Sequence, residues 1–322
     1  MTADSNVCVG IDSGSSCSKL AYSDSLGTRV IAQCDGFDLL ELREEAEIFF
    51  DDLVFSCVLS VPENLTSRQK SAIKSKAELS GFRNVNLISE IEALKLAVND
   101  NGKVLIYDFG ASRSHILFFE NGSVADSVII DDVCGNSFDM SFAEYLRERK
   151  LLKKINDDIL REAKRLKHVL SVNNSRIWHN AVILRGDFER LIYFPVKRAS
   201  HFLKRFIRVF RPDRVILTGG CSKIPLVREI LDIKEVIDDL ISKGCALKAR
   251  SITKSDTAKN ISTKSQGQSR LREIRAEMLR IEDKLTRNQK DRLYVLFRQA
   301  ENINDNGITV LIENLLNEIE NL

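Results

Sequence analysis

Residues 103–119 read KVLIYDFGASRSHILFF, two apolar arms that meet at an Asp-Phe-Gly turn. Both arms are rich in Val, Ile, Leu, Tyr and Phe, the composition of buried strands. Between them Asp108, Gly110, Ala111, Ser112 and Ser114 make a small polar loop. Glycine frees the backbone to approach a ligand, and an aspartate can hold a hydrated cation, so the loop has the outline of a phosphate-and-metal site. A plain hairpin tip fits the same residues.

The pattern occurs twice. Residues 7–11 are a short apolar strand that runs into Asp12-Ser13-Gly14-Ser15-Ser16-Cys17-Ser18, and residues 20–22 are apolar again. Two such hairpins predict a duplicated lobe with a ligand held between the copies. A third glycine loop, Thr218-Gly219-Gly220-Cys221-Ser222, follows a strand predicted at 214–217. In a two-lobed fold the three loops would gather at one end of a sheet pair. Backbone N–H groups around Gly14 and Gly110 would bind a triphosphate tail, with Asp12 and Asp108 holding Mg²⁺ through water. Gly219 and Gly220 would let the chain pass close beneath a base or ribose.

With 322 residues and 43% hydrophobic content the chain can bury a large core, and two lobes are expected. Forty-eight Lys and Arg against 46 Asp and Glu leave a net charge of +2, which gives no global pull towards nucleic acid or anionic membrane. Seven scattered cysteines without a Cys-x-x-Cys pair are expected to be reduced thiols. No basic leader and no bilayer-length apolar run is seen, so a cytoplasmic protein is expected.

Elsewhere the chain alternates strands and helices. Residues 55–61 and 85–89 read as strands. Residues 66–80 read as a helix capped by Thr66 with Gln69 three residues on and closed by Gly81, and Glu90–Val98 as a second helix. Residues 135–146 and 155–170 are further helices. Residues 186–210 alternate apolar and cationic residues at helical spacing, with Pro195 expected to kink the helix or start a new one. Over Lys197–Arg214 the interleaving of Phe with Lys and Arg is also compatible with nucleic-acid binding, but at helical spacing the aromatics are expected to face the core and the cations solvent, so no direct nucleic-acid partner is expected. The composition turns polar at Ser251, which suggests a linker over 251–268 and a helical appendage over 269–322.

The segments VGIDSGSSCSKLAY, VLIYDFGASRSHILFF, CGNSFDMSFAEYL, KRLKHVLSVNNS and ILTGGCSKIPLV resemble, in that order, the nucleotide-binding-domain motifs of the seventy-kilodalton heat-shock chaperones. The resemblance covers roughly residues 5–250 and is closest to the hundred-and-ten-kilodalton branch. It implies an α/β, actin-like, two-lobed ATPase fold, here shortened and carrying a C-terminal helical extension. It implies ATP or ADP with Mg²⁺ as ligands. Asp12 and Asp108 match the family's metal-water aspartates, and Gly14, Ser15 and Ser16 its first phosphate loop. Gly110, Ser112 and Arg113 belong to the second. Glu90 falls where the family has an acidic residue near the attacking water. Lys167 and Ser171 match adenosine contacts, as do Gly219, Gly220 and Lys223, and His168 sits along the adenine face.

The departures imply a weakened enzyme. Arg113 replaces a threonine near the γ-phosphate, where it would pair with phosphate oxygens or fill their site. Only about forty residues separate the first loop from Val58, too few for the subdomain that supplies the family's catalytic lysine, and no lysine occurs between Lys19 and Lys70. No strand pairs after residue 250 would build a peptide-binding sandwich. The resemblance therefore implies a co-chaperone that opens the nucleotide cleft of a heat-shock-70 partner. A slow Mg²⁺-dependent ATPase and a subunit of a ribosome-associated or other chaperone assembly stand as alternatives.

Overall fold

The apolar strands that flank the first loop pair as an antiparallel hairpin, β1 (Cys8–Asp12) with β2 (Cys17–Asp24), and β3 (Gly27–Asp35) continues the meander. This is a computed structural model describing residues 7–149 and 154–257. Helix α1 (Leu39–Phe50) crosses back, so that β4 (Ser56–Val61) lies parallel to β1, and α2 (Ser67–Leu79) leads to β5 (Asn84–Ser89), parallel to β4. The sheet order is β3-β2-β1-β4-β5. The Thr66–Gln69 capping box opens α2, as its spacing predicts, and Gly81 follows the helix at φ +94°.

After α3 (Glu90–Val98) the arrangement repeats. Strands β6 (Lys103–Phe109), β7 (Ser114–Glu120) and β8 (Ser123–Ile130) form a second antiparallel meander. Helices α4 (Gly135–Glu148) and α5 (Asp157–Val172), a hairpin of β9 (Ser175–Trp178) and β10 (Ala181–Leu184), and α6 (Arg185–Phe210) follow. Strand β11 (Arg214–Thr218) then joins β6 in parallel, followed by α7 (Pro225–Leu231), β12 (Glu235–Val236) and α8 (Leu240–Thr257). Its order, β8-β7-β6-β11-β12, is the first sheet's order with each strand replaced by its counterpart. The duplicated lobe predicted from the two hairpins is present.

Helices α3 and α8 lie between the sheets and share one apolar layer with them, in which Cys8, Val58, Val104, Ile106, Ala93 and Cys245 are buried together. Backbones touch here: a Cβ on Gly10 would lie 2.0 Å from Ala246 N, and one on Gly244 1.9 Å from Ala93 O. Each sheet's other face carries its own core, one around Leu42 and Phe82 and one around Phe138, Phe142 and Phe188.

Two expectations change. α6 runs as one helix through Pro195, which lacks the N–H that would bond to Leu191 O but neither ends the helix nor starts another. α8 continues to Thr257, so residues 251–257 of the supposed linker are helical, while 258–322, including the proposed appendage, lie outside the described residues. No helix of the described residues is long and apolar enough to cross a membrane.

Candidate functional site

The three glycine loops meet where the two sheets face each other. Loop one leaves β1 at Asp12 and is pinned to the parallel neighbour β4: Ser13 N–H donates to Ser60 Oγ at 3.1 Å, Ser13 Oγ to Ser60 O at 2.6 Å, and Ser60 Oγ to Asp12 Oδ1 at 3.2 Å. Loop two closes on itself through Gly110 N–H to Arg113 O, 3.1 Å. It also receives the start of α4, with Gly135 N–H on Gly110 O at 3.0 Å and Asn136 N–H on Ala111 O at 2.7 Å. Loop three presses on loop two. Gly219, at φ +86°, leaves no space for a side chain, since a Cβ there would lie 2.5 Å from Asp108 Oδ1 and 2.6 Å from the Phe109 carbonyl. Gly220 opens a short 3₁₀ turn, and nothing lies near its Cβ position.

Loops one and two touch through the hydroxyls of Ser15 and Ser112. Lys164 of α5 reaches across to Ser16 O at 2.8 Å. Asp12, Gly14, Ser15, Ser16, Glu90, Asp108, Gly110, Ser112, Arg113 and Gly219 therefore belong to one site. Lys167 stands behind loop two, donating to Gly135 O at 3.1 Å and paired at 2.7 Å with Asp139, both side chains 9% exposed. Ser171 donates to Lys167 O within its own helix. His168 and Lys223 are exposed and make no hydrogen bond to the three loops among the described residues.

Negative charge is crowded at the bottom of this cleft. Burial, and then the nearby Glu90, push Asp12 up to about 6. Burial, then Glu90 and Asp12, push Asp108 up to about 7. Glu90 is itself raised by burial, against the pull of Arg113. Carboxyls that resist ionisation together are a good host for a divalent cation, whose charge would offset all three. Among the described residues no three His, Cys, Asp or Glu side chains are grouped to ligate an ion directly.

The cations have other engagements. Arg113 pairs with Glu90, Nη2 to Oε2 at 2.6 Å, so the carboxylate expected beside the attacking water is tied down by the residue expected at the γ-phosphate. Lys19 stands opposite Asp12 in the β1–β2 register and pairs with Asp239. Burial opposes its charge, and Asp239 more than offsets that, so its pKa is raised. Between β3 and β4 the chain has room only for α1 and two short connections, which bring no lysine to the cleft. Sequence reasoning missed Lys19, Ser60, Lys164 and Asp239. Only Lys19 had a signal, its place across the hairpin from Asp12.

A family model described as Hsp70 protein matches residues 29–262. The chain belongs to the Hsp70 family. Loop one precedes the matched region, so its place in this Hsp70-family cleft rests on the contacts above. The chain is 24% identical to human Heat shock 70 kDa protein 4L, covering 73% of this chain and 34% of that protein. It is 26% identical to a Chaperone protein HscA homolog of Paracidovorax citrulli (strain AAC00-1), covering 68% and 41%, and 22% identical to a Mitochondrial-type heat shock protein 70 of Encephalitozoon hellem, covering 67% and 44%. The Hsp70-family chain thus spans between a third and a half of the length of these relatives.

Proposed function

We propose that the cleft binds Mg²⁺ with ATP or ADP and that the chain serves as a co-chaperone, using the bound nucleotide as a structural element while it opens the nucleotide cleft of an Hsp70 partner. The observation that carries this reading is the pair of destabilised carboxyls, Asp12 and Asp108, beneath three converging glycine loops, with Glu90 latched to Arg113. The first half asks for a cation carrying phosphate; the second withdraws the groups that turnover needs, because phosphoryl transfer depends on placed charge. The exchange role draws its support from the likeness to the hundred-and-ten-kilodalton branch and needs no chemistry in this chain. Binding energy for the open state of the partner is sufficient.

Calorimetric titration of MgATP and MgADP tests the first step, and absence of heat with both ligands at millimolar concentration refutes it. Stopped-flow release of a fluorescent ADP from a full-length Hsp70 tests the second. Acceleration of tenfold or more is expected, and an unchanged release rate at saturating chain refutes the exchange role. A slow ATPase is the second reading, favoured by the closeness of Glu90 and Arg113 to Asp108. Single-turnover phosphate release that disappears in Asp108→Ala would establish it.

A further inference from the structure

The outward face of α6 is strongly charged and takes no part in the cleft. From Arg190 to Pro212 the chain has seven Lys and Arg and no Asp or Glu, in a protein whose net charge is only +2. One side of the helix is spent on the core, where Phe188, Ile192, Val196, Ala199 and Leu203 are fully buried. At 3.6 residues per turn the opposite side brings Phe194, Lys197, His201, Arg205 and Arg208 into one stripe. Phe194 is 78% exposed, and Tyr193 and Phe202 also face water, Phe202 against the expectation that the aromatics of Lys197–Arg214 turn inward. Asp132 engages Arg198, whereas Lys197, Arg205 and Arg208 have no carboxylate partner among the described residues.

We propose that this face binds single-stranded nucleic acid, with phosphates meeting Lys197, Arg205 and Arg208 and a base stacking on Phe194. A cationic stripe without a carboxylate attracts a polyanion, and exposed rings beside the cations, Phe194 set edge-on against Tyr193, offer stacking platforms. An anionic membrane would need a continuous apolar stripe, which the cations between Phe194 and Phe202 interrupt. An acidic partner helix would need an enclosed apolar groove, and Phe194 stands out from the surface.

The test is fluorescence anisotropy of the full chain with a labelled oligouridylate of about twenty nucleotides. Three phosphate contacts to a single strand predict affinity falling roughly 20-fold between about 50 and 200 mM salt. Arg205→Glu with Arg208→Glu should weaken binding at least tenfold and flatten the salt dependence. Phe194→Ala should weaken it roughly tenfold and leave the salt dependence unchanged. All three positions are exposed, and circular dichroism confirms that each variant is folded. Equal affinity of parent and variants overturns the proposal, as does tighter binding of polyglutamate or of phosphatidylserine vesicles than of the oligonucleotide. The cleft is not involved, so this result and the nucleotide titration stand or fall separately.

Discussion

Replacing Asp108 by asparagine should stabilise the nucleotide-free protein, by an amount that grows between about pH 4 and 7 and is complete above that range. The native site holds the Asp108 carboxyl at about 7 instead of 3.8, chiefly through burial and then through Glu90 and Asp12. The direction follows from linkage: between about pH 4 and 7 the native state keeps a proton that the unfolded chain has released, so stability falls as pH rises through that window. At about 1.4 kcal/mol per pH unit, the full penalty above pH 7 is about 4 kcal/mol, and shared titration with Asp12 brings the expected gain to about 2–4 kcal/mol. Asparagine carries no charge, so Asp108→Asn should exceed the parent by that amount at pH 8 and match it near pH 4. Urea denaturation at a series of pH values reads this directly. Adding MgADP should reverse the ranking at pH 8, since a divalent cation relieves the parent's carboxylates and has less to offer the variant. A difference between the two proteins that does not change with pH would refute the reasoning.

Gly219→Ala should be folded poorly or not at all, losing about 2–5 kcal/mol in urea melts, because the added Cβ meets Asp108 and the Phe109 carbonyl at a left-handed φ. Arg113→Ala leaves the partly buried Glu90 without its cation and should cost about 1–2 kcal/mol at pH 8. That loss should fade on acidification, as Glu90 takes up a proton, and should vanish in a double variant with Glu90→Gln, as a double-mutant cycle will show. Lys167→Met leaves the buried Asp139 carboxylate without its cation and should cost about 3–5 kcal/mol at pH 8, with the lowered Tm accompanied by loosened anchoring of α4 on loop two in hydrogen exchange.

The hairpin at residues 103–119 was legible because both arms are buried runs and the turn between them is chemically distinct. Thr66 and Glu90–Val98 were legible for similar local reasons, a cap and a periodic apolar face. β8 was not, since an edge strand with residues 123–127 exposed carries no apolar alternation to detect. β9 and β10 are four residues each, shorter than any period can declare itself in. No second helix starts at Pro195, because the packing of Ile192, Val196 and Ala199 on both sides of it holds the helix together. At the cleft, the loops themselves could be read from sequence. Their partners could not: Asp239 lies 220 residues from Lys19, and Glu90 lies 23 from Arg113, separations that only the folded topology closes.

Those partners also explain how a cleft can govern shape without turnover. Among the described residues the contacts that join the two halves at the mouth are polar: Ser15 with Ser112, Lys19 with Asp239, and Lys164 with the Ser16 carbonyl and Asp35. Each uses a group that a phosphate tail or its cation would compete for, a loop hydroxyl, a cation beside Asp12, or a cation on the first phosphate loop. Nucleotide entering here would exchange lobe-to-lobe contacts for lobe-to-ligand contacts, so occupancy and the relative position of the lobes would be coupled through the same few atoms. The apolar layer of α3 and α8 lies below this mouth and makes no such exchange, which leaves it as the fixed side of any opening. Coupling of that kind requires binding and release only. It is therefore compatible with a Glu90 held by Arg113 and with a cleft that no lysine enters from the connection between β3 and β4.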